Sequence, residues 1–267
     1  MKAMLSSTRI ILDAWGTVRE GKPEEFRLFI IYGALGKGKS AYAIKTGVQL
    51  LQHVYGYSEA EAWNRVKDFI IFHPQQFFEK VKAMDESERL PFIIWDDAGL
   101  WLSALDWYDP FLKAFSKYLN VARTMFASFI LTTPMPRNVL RAVRSLPDSI
   151  VVKIVDDSDK EHPWRRLAFG YRNWFSPDGK KTGVWKIFED PYYCNYPEDF
   201  FKWYKPYRNT YQIIALRLLK EEWEKKKGQS IVLQKLKEII DFENPEQIIS
   251  LYGFTDKNVD VSEDDGS

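Results

Sequence analysis

The chain has 267 residues, of which 45% are hydrophobic and 28% charged, values typical of a folded globular protein with a substantial core. Its formal net charge of +1 excludes a general electrostatic attraction to nucleic acid or anionic lipid, so such binding has to come from local patches. The single cysteine, Cys194, excludes an intramolecular disulfide, and the three histidines are too scattered for a zinc-type cluster. No stretch approaches the roughly 20 apolar residues of a membrane span, so we expect a soluble, cytoplasmic protein without an integral membrane segment.

From residue 26 to about 155, short apolar runs alternate with helix-like segments. This pattern is typical of an α/β fold with a mostly parallel sheet flanked by helices. We predict five strands here, at FRLFIIYG, DFIIFH, PFIIWDD, SFILTT and SIVVKIVD. The first, third and fourth runs are almost continuously apolar, as expected for strands that are buried on both faces.

The segment GALGKGKS follows the first predicted strand and precedes a predicted helix, and it fits the pattern G-x-x-x-x-G-K-[ST]. Glycines let successive N–H groups turn inward to hold an anion, and the helix start adds the positive end of its dipole. We therefore predict a phosphate site, with Lys39 at the β- and γ-phosphates and the Ser40 hydroxyl on Mg²⁺. For Lys37 the alternative is a solvated side chain. The predicted nucleotide-binding residues are Gly33, Ala34, Leu35, Gly36, Lys37, Gly38, Lys39, Ser40 and Ala41.

Acidic and hydroxyl side chains end two further predicted strands. Asp96 follows the third strand and is predicted to hold Mg²⁺ together with Ser40. Asp97 stands where many hydrolytic P-loop enzymes carry a glutamate that polarises the attacking water, and its alternative role is a helix N-cap. Thr132 and Thr133 end the fourth strand, where they either contact the γ-phosphate or the water, or cap the next turn. No N-K-x-D motif for guanine is visible, which favours ATP over GTP.

Arginines surround the fourth predicted strand. Arg137, Arg141 and Arg144 are spaced to lie on one face of a helix after that strand. This face is either simply solvated, or it provides an arginine that completes the ATP site of a neighbouring subunit or contacts DNA phosphate. Arg144, and Arg123 just before the strand, are the candidate arginine fingers.

A predicted β-hairpin follows at about residues 160–195, around the turn signal SPDGKK. Interleaved cations and aromatic rings suit contact with DNA phosphates and bases, and they equally suit an ordinary amphipathic hairpin packed on the core. These side chains are Arg165, Arg166, Arg172, Lys180, Lys181, Trp164, Tyr171, Trp174 and Phe175.

The layout GALGKGKS…FIIWDDAG…FILTTPMPRNVLRAVRS resembles the compact ATPases of archaeal viruses and plasmids, especially those of fuselloviruses. It is similar in outline to zonular occludens toxin-like phage ATPases and HerA/FtsK translocases. The resemblance covers residues 26–155 and implies a P-loop NTPase of the additional-strand, catalytic-acid type, to which the DFIIFH strand between the motifs corresponds. The translocases usually place Gln where this chain has Thr133, and the toxin-like proteins carry a membrane span. The threonine-proline segment and the arginine helix also fit an AAA+ protein of replication-initiator type.

Together these features predict a Mg²⁺-dependent ATPase, a homo-oligomer acting on DNA in packaging, translocation or replication of a virus or plasmid, with viral or plasmid proteins as candidate partners. The alternative is an ATP-dependent assembly or switch protein that binds proteins through the helices of residues 207–252. A small-molecule kinase is a third possibility. The predicted organisation is a lead segment at 1–25, a P-loop ATPase core at 26–158, a hairpin extension at 159–196, a C-terminal helical region at 197–255 and a disordered acidic tail at 256–267.

Overall fold

A seven-stranded sheet runs through the protein and confirms the predicted α/β fold with a mostly parallel sheet. The computed structural model describes residues 4–15, 25–83, 89–176, 178 and 182–226. The strand order is β2-β3-β4-β1-β5-β6-β7, in which the first five strands are parallel and the last two are antiparallel to their neighbours. The strands are β1 (Arg27–Tyr32), β2 (Ile70–Ile71), β3 (Ile93–Trp95), β4 (Ser128–Thr133), β5 (Ile150–Asp156), β6 (Arg165–Phe175) and β7 (Thr182–Tyr193).

Helices flank both faces of the sheet. In β1, Phe29 and Ile31 point into one apolar core while Leu28 and Ile30 point into the other, because successive side chains of a strand alternate. Both cores are buried, as a central parallel strand requires. The helices are α1 (Ser6–Trp15), α2 (Lys39–Tyr55), α3 (Glu59–Arg65), α4 (Pro74–Ala83), α5 (Pro110–Leu119), α6 (Arg141–Arg144) and α7 (Glu198–Lys226). Single 3₁₀ turns occupy Val66–Phe69, Ala98–Leu100, Ala104–Asp106, Ala122–Thr124 and Pro136–Asn138.

A strand from later in the chain separates the two motif-bearing strands in the sheet. The strand that separates β1 from β3 in the sheet is β4, which pairs in parallel with both. The strand that lies between the two motifs in the chain is instead β2, which pairs with β3 over two residues. It is short because residues 66–69 form a 3₁₀ turn rather than extended backbone. The predicted DFIIFH strand is therefore present as β2, but it lies at the edge of the sheet, and β4 separates the two motif strands instead.

The predicted hairpin is present and extends the central sheet. β6 pairs with the whole length of β5, from Ile150 opposite Arg172 to Asp156 opposite Arg166, and β7 pairs with β6. Most of the turn lies outside the described residues. The chain divides into two compact units, residues 1–211 and 212–267, so the sequence divisions at 25/26 and 158/159 fall inside the first unit.

The second unit is described over residues 212–226, which are the C-terminal part of α7. The remainder of the predicted C-terminal helical region and the predicted acidic tail lie outside the described residues. Among the helices that the structure describes, none is both long and apolar enough to cross a membrane.

The predicted lead segment contains α1, which a buried carboxylate holds against the sheet. Asp190 of β7 is 4% exposed and accepts hydrogen bonds from the backbone N–H of Ser6, at 2.9 Å, and of Ser7. The buried Tyr42 hydroxyl of α2 donates to the same carboxylate. A negative charge at the first turn of a helix is favourable because the helix dipole is positive there. Asp190 therefore joins α1, α2 and β7.

We expect Asp190→Ala to lower the free energy of unfolding by about 2–4 kcal/mol, because the α1 N–H groups lose their acceptor and the Tyr42 hydroxyl is left buried without its carboxylate. Denaturation by urea measures this change. Asp13→Ala is the matched control, since Asp13 is exposed on the same helix and its replacement should stay within about 0.5 kcal/mol. Equal losses in the two variants would contradict the assigned role.

Candidate functional site

The glycine loop lies at the carboxyl end of β1 and leads directly into α2, which begins at Lys39. Gly38 has a φ of 86°, and a Cβ atom there would lie 2.6 Å from the Cβ of Cys194. Gly33 has a φ of 153°, and its Cβ would lie 2.7 Å from the backbone oxygen of Ile154 in β5. Positive φ angles and close neighbours together exclude larger residues at these two positions. The loop is therefore built against β5 and the end of β7.

Lys39 lies folded inside this loop and is 7% exposed. Its ammonium donates to the backbone oxygen of Ala34 at 2.9 Å, which uses one of its three N–H groups. Burial lowers the pKa of this ammonium, and the nearby charge of Arg208 acts in the same direction, while Asp97 and Asp96 oppose the shift. The loop thus holds a largely desolvated ammonium with N–H groups left for an anion.

Asp96 is the centre of the hydrogen bonds at the carboxyl end of β3, and it is 1% exposed. Its Oδ1 accepts from the Ser40 hydroxyl at 2.6 Å and from the Thr132 hydroxyl at 2.7 Å. Its Oδ2 accepts from the phenol of Tyr204. The structure therefore brings together Ser40 and Asp96, the two residues that the sequence assigned to Mg²⁺.

Asp97 has a left-handed backbone with a φ of 51°, a conformation that is uncommon for residues other than glycine. It occupies the N-cap position of the turn Ala98–Leu100, but its side chain makes no capping hydrogen bond. Its Oδ2 instead lies 3.4 Å from Nη2 of Arg208. Burial raises the pKa of the Asp97 carboxyl and Asp96 adds to the rise, whereas Arg208 and Lys39 oppose it. The carboxylate thus faces the site rather than capping the turn.

The two threonines at the end of β4 have different surroundings. Thr132 donates to Asp96, and its Oγ1 accepts the backbone N–H of Asp97 at 2.8 Å. Thr133 donates to the backbone oxygen of Met135 at 3.2 Å, in the turn that follows. Thr132 therefore belongs to the carboxylate network, and Thr133 makes the turn contact that the sequence left as its alternative role.

The predicted arginine helix is corrected by the structure. Arg137 belongs to a separate 3₁₀ turn, whereas Arg141 and Arg144 both lie in the four-residue α6, so the three arginines do not share one helical face. The break occurs because the backbone N–H of Leu140 donates to the backbone oxygen of Leu102 at 2.9 Å, in the segment that follows Asp97. Spacing along the chain does not reveal such a contact.

Arg123 and Arg144 are not brought into the site of their own chain. Arg123 precedes β4, and the backbone oxygen of Arg144 accepts from Ser149, which precedes β5. Both therefore lie towards the amino ends of parallel strands, whereas the glycine loop lies at the carboxyl ends. Their role as arginine fingers stays a prediction for the site of another copy.

Several of the cations considered above as phosphate contacts form ion pairs with carboxylates. Lys37 forms an ion pair with Asp156 at the end of β5, and both side chains are partly exposed. Arg165 lies 2.9 Å from Asp157, and Arg166, 8% exposed, lies 3.2 Å from Asp156. Lys180 and Lys181 lie outside the described residues. The other loop residues, Ala34 and Leu35, are exposed.

Sequence reasoning missed the contribution of α7. Tyr204 and Arg208, one turn apart on this helix, reach Asp96 and Asp97, which lie more than 100 residues earlier in the chain. Tyr192 at the end of β7 donates to the backbone oxygen of Gly38 at 2.9 Å. The only local signal was an aromatic-rich helix with Tyr and Arg at i and i+4, which does not indicate its target.

This arrangement suits a metal ion that takes only a few of its ligands from the protein. The described residues contain no group of three or more His, Cys, Asp or Glu side chains that could hold a metal. Mg²⁺ in nucleotide sites typically takes one or two protein oxygens and completes its octahedron with water and phosphate. Ser40, at the end of the glycine loop, and Asp96 provide such a pair.

We expect Gly38→Ala to destabilise the fold by about 2–5 kcal/mol and to abolish nucleotide binding, because the new Cβ combines an unfavourable φ with a clash against Cys194. Gly36→Ala is the control: its φ is also positive, at 72°, but apart from its chain neighbours no described atom would lie within 4 Å of its Cβ. It should lose only about 1–2 kcal/mol. Denaturation and nucleotide titration measure both effects, and Cys194→Gly should partly rescue Gly38→Ala. Indistinguishable glycine variants would show that the clash is unimportant.

Comparisons with known proteins add a viral relative. No protein-family model matches the chain. The chain is 30% identical over 167 residues to the uncharacterized protein B-251 of Sulfolobus spindle-shape virus 1. This match covers 62% of the present chain and spans 59% of the length of that protein. Among solved structures, the KaiC-like protein PH0186 of Pyrococcus horikoshii OT3 aligns over 62% of this chain and 92% of its own, with a TM-score of 0.32 and 15% identity.

Proposed function

We propose that this protein binds ATP with Mg²⁺ and hydrolyses it. The observation that carries the proposal is the 2.6 Å hydrogen bond between Ser40 and Asp96, beside the buried ammonium of Lys39. These groups and Thr132 lie together at the carboxyl ends of three neighbouring parallel strands, β1, β4 and β3. A purely structural glycine turn would need neither a buried lysine nor a buried aspartate at that position, because burying charges is unfavourable unless they are paired or used.

Each residue has a distinct part in the proposed reaction. The N–H groups of the loop and of the first turn of α2 bind the phosphates, since the first N–H groups of a helix have no partner inside it. Lys39 contacts the β- and γ-phosphates. Ser40 and Asp96 would hold Mg²⁺, which would supply positive charge to the phosphate oxygens. Asp97 orients the attacking water and accepts its proton, and Thr132 fixes Asp97 by accepting its backbone N–H.

The test is hydrolysis of ATP and GTP by purified protein, with Mg²⁺ and with EDTA, in the wild type and in Asp97→Asn. We expect ATP to be preferred and EDTA to abolish turnover. Asp97→Asn should still bind ATP, while its hydrolysis falls about 10²–10⁴-fold, the usual contribution of a general base. Thr133→Ala is the matched control, because its hydroxyl contacts the turn and not the carboxylates. Failure of the wild type to bind ATP would end the proposal.

In its extended form, the proposal is an oligomeric ATPase that acts on the DNA of a virus or plasmid inside the host cytoplasm. Two observations support it: a spindle-shaped virus encodes the relative, and Arg137 and Arg141 are exposed beyond β4. The cations of the hairpin support it less, because Arg165 and Arg166 already pair with carboxylates. The alternative, an ATP-dependent assembly or switch protein, needs no basic surface.

Adding single- and double-stranded DNA to the hydrolysis assay at low salt separates the two forms. Acceleration by DNA that is lost in the double variant Arg137→Ala/Arg141→Ala would favour the DNA-acting form. Hydrolysis that is indifferent to DNA, with no complex detected, would favour the assembly protein. Sedimentation with and without ATP reports whether copies of the chain associate.

A further inference from the structure

The first half of α7 is held against the two carboxylates by buried aromatic packing. Tyr204 is 2% exposed and donates to Asp96. Its ring lies 5.9 Å from that of Phe200, 6.0 Å from that of Phe72 and 5.5 Å from that of Tyr196. Rings packed at such distances fix a helix in position and orientation. The helix therefore presents its next turn to the site at a defined place.

That next turn carries Arg208, whose guanidinium is incompletely bonded. Its Nη2 lies 3.4 Å from Oδ2 of Asp97, which is longer than the roughly 2.7–2.9 Å of a good charge-assisted hydrogen bond. Its Nε is buried and finds no acceptor among the described residues. Asp97 adjoins Asp96, and Asp96 accepts a hydrogen bond from Ser40, the residue that follows Lys39 in the loop. Two cations thus converge beside the glycine loop with only a loose carboxylate contact for the guanidinium.

We infer that Arg208 is a catalytic residue that binds the terminal phosphate of ATP in its own chain. The inference rests on the proposed function and adds the group that distinguishes ATP from ADP. A terminal phosphate offers several charged oxygens to a planar guanidinium, so it competes effectively with the single loose contact to Asp97. Transfer of Arg208 from Asp97 to phosphate frees the carboxylate for the attacking water. The guanidinium then stabilises the charge that spreads over the terminal phosphate oxygens.

The helix permits a small shift of this turn. Pro206 lies inside α7, between Tyr204 and Arg208. Proline has no N–H, so the helical hydrogen bond that would join residue 206 to residue 202 is absent. Tyr204 can therefore stay on Asp96 while the following turn adjusts to the phosphate.

The experiment compares the affinities of ADP and of the non-hydrolysable β,γ-imido analogue of ATP, each with Mg²⁺, by calorimetric titration. We expect Arg208→Ala to weaken the triphosphate analogue about 10–100-fold and to leave ADP nearly unchanged, because the lost contact involves only the terminal phosphate. The turnover number for ATP should fall by about 10³-fold or more. Arg208→Lys should recover part of both losses. Arg217→Ala is the control, since Arg217 is exposed on the same helix.

The outcomes separate this inference from the proposed function. If the wild type binds neither nucleotide, the proposed function fails. If the wild type binds both nucleotides and Arg208→Ala keeps the wild-type ratio of the two affinities, Arg208 does not contact the terminal phosphate. The inference is then overturned, and so it is if Arg208→Ala weakens ADP and the triphosphate analogue equally. Should Arg208→Ala fail to fold, Arg208→Gln keeps the side-chain stem without the charge, and the same ratio decides the question.

Discussion

Lys39→Ala is expected to weaken ATP binding by about 100-fold and to reduce hydrolysis to background. The substitution removes a buried ammonium that uses one N–H group on Ala34 and has two left for phosphate oxygens. A hydrogen bond between charged groups contributes about 1.5–3 kcal/mol each, and the low dielectric around a buried group keeps it at the upper end. The alanine variant also leaves Asp96 and Asp97 without the nearest cation of the loop.

Nucleotide titration and a phosphate-release assay measure these losses. Lys37→Ala is the matched control, because Lys37 lies in the same loop but is partly exposed and paired with Asp156. It should change ATP affinity by no more than about threefold, as is usual for exposed ion pairs. The assigned role of Lys39 would be refuted if both lysine variants bound ATP as well as the wild type does.

Trp95→Ala is expected to lower the free energy of unfolding by about 3–5 kcal/mol. Trp95 is fully buried, and its ring packs on those of Phe115 at 5.6 Å, Phe129 at 6.2 Å and Phe77 at 6.4 Å. The substitution opens a large cavity in the aromatic core below β3. Asp96 directly follows Trp95, so nucleotide binding should weaken together with stability.

Guanidinium denaturation of Trp95→Ala, Trp95→Phe and Trp107→Ala provides the comparison. Trp95→Phe should lose less than about 1.5 kcal/mol, because it keeps most of the ring and removes an indole N–H that has no acceptor in the described part of the chain. Trp107 is 65% exposed, so its replacement should change stability by about 0.5 kcal/mol or less. A similar loss in all three variants would show that aromatic packing at β3 is not what stabilises this part of the sheet.

The features that sequence could predict are those that local chemistry determines. The glycine loop was recognisable because the strand, the glycines, Lys39 and the helix follow one another within a few residues. Asp96 was recognisable because two adjacent acidic residues end an apolar strand. The apolar strand segments also predicted the mostly parallel sheet, since strands that are apolar on both faces occur mainly in parallel sheets with helices on both sides.

The features that sequence could not predict depend on contacts between distant segments. The position of β4 between β1 and β3 is set by packing and cannot be read from the order of motifs. The arginine helix failed as a prediction because the contact of Leu140 with Leu102 breaks it. Tyr204 lies 108 residues from Asp96, and its helix has no spacing that indicates a partner. The arginine that faces Asp97 was therefore missed, while others nearer in the chain were considered.

The placement of β1 between β4 and β5 has a consequence for biosynthesis. The residues that pair with Phe29 are Ile130 and Ile150, so β1 cannot pair until about 100–120 further residues have been synthesised. During translation its apolar face is available to chaperones or to other nascent chains. The contacts from Tyr204 and Arg208 form later still. A ribosome-bound chain that ends before α7 should therefore bind ATP poorly, and capture of nascent chains on immobilised ATP should select those in which residue 208 has emerged from the ribosome.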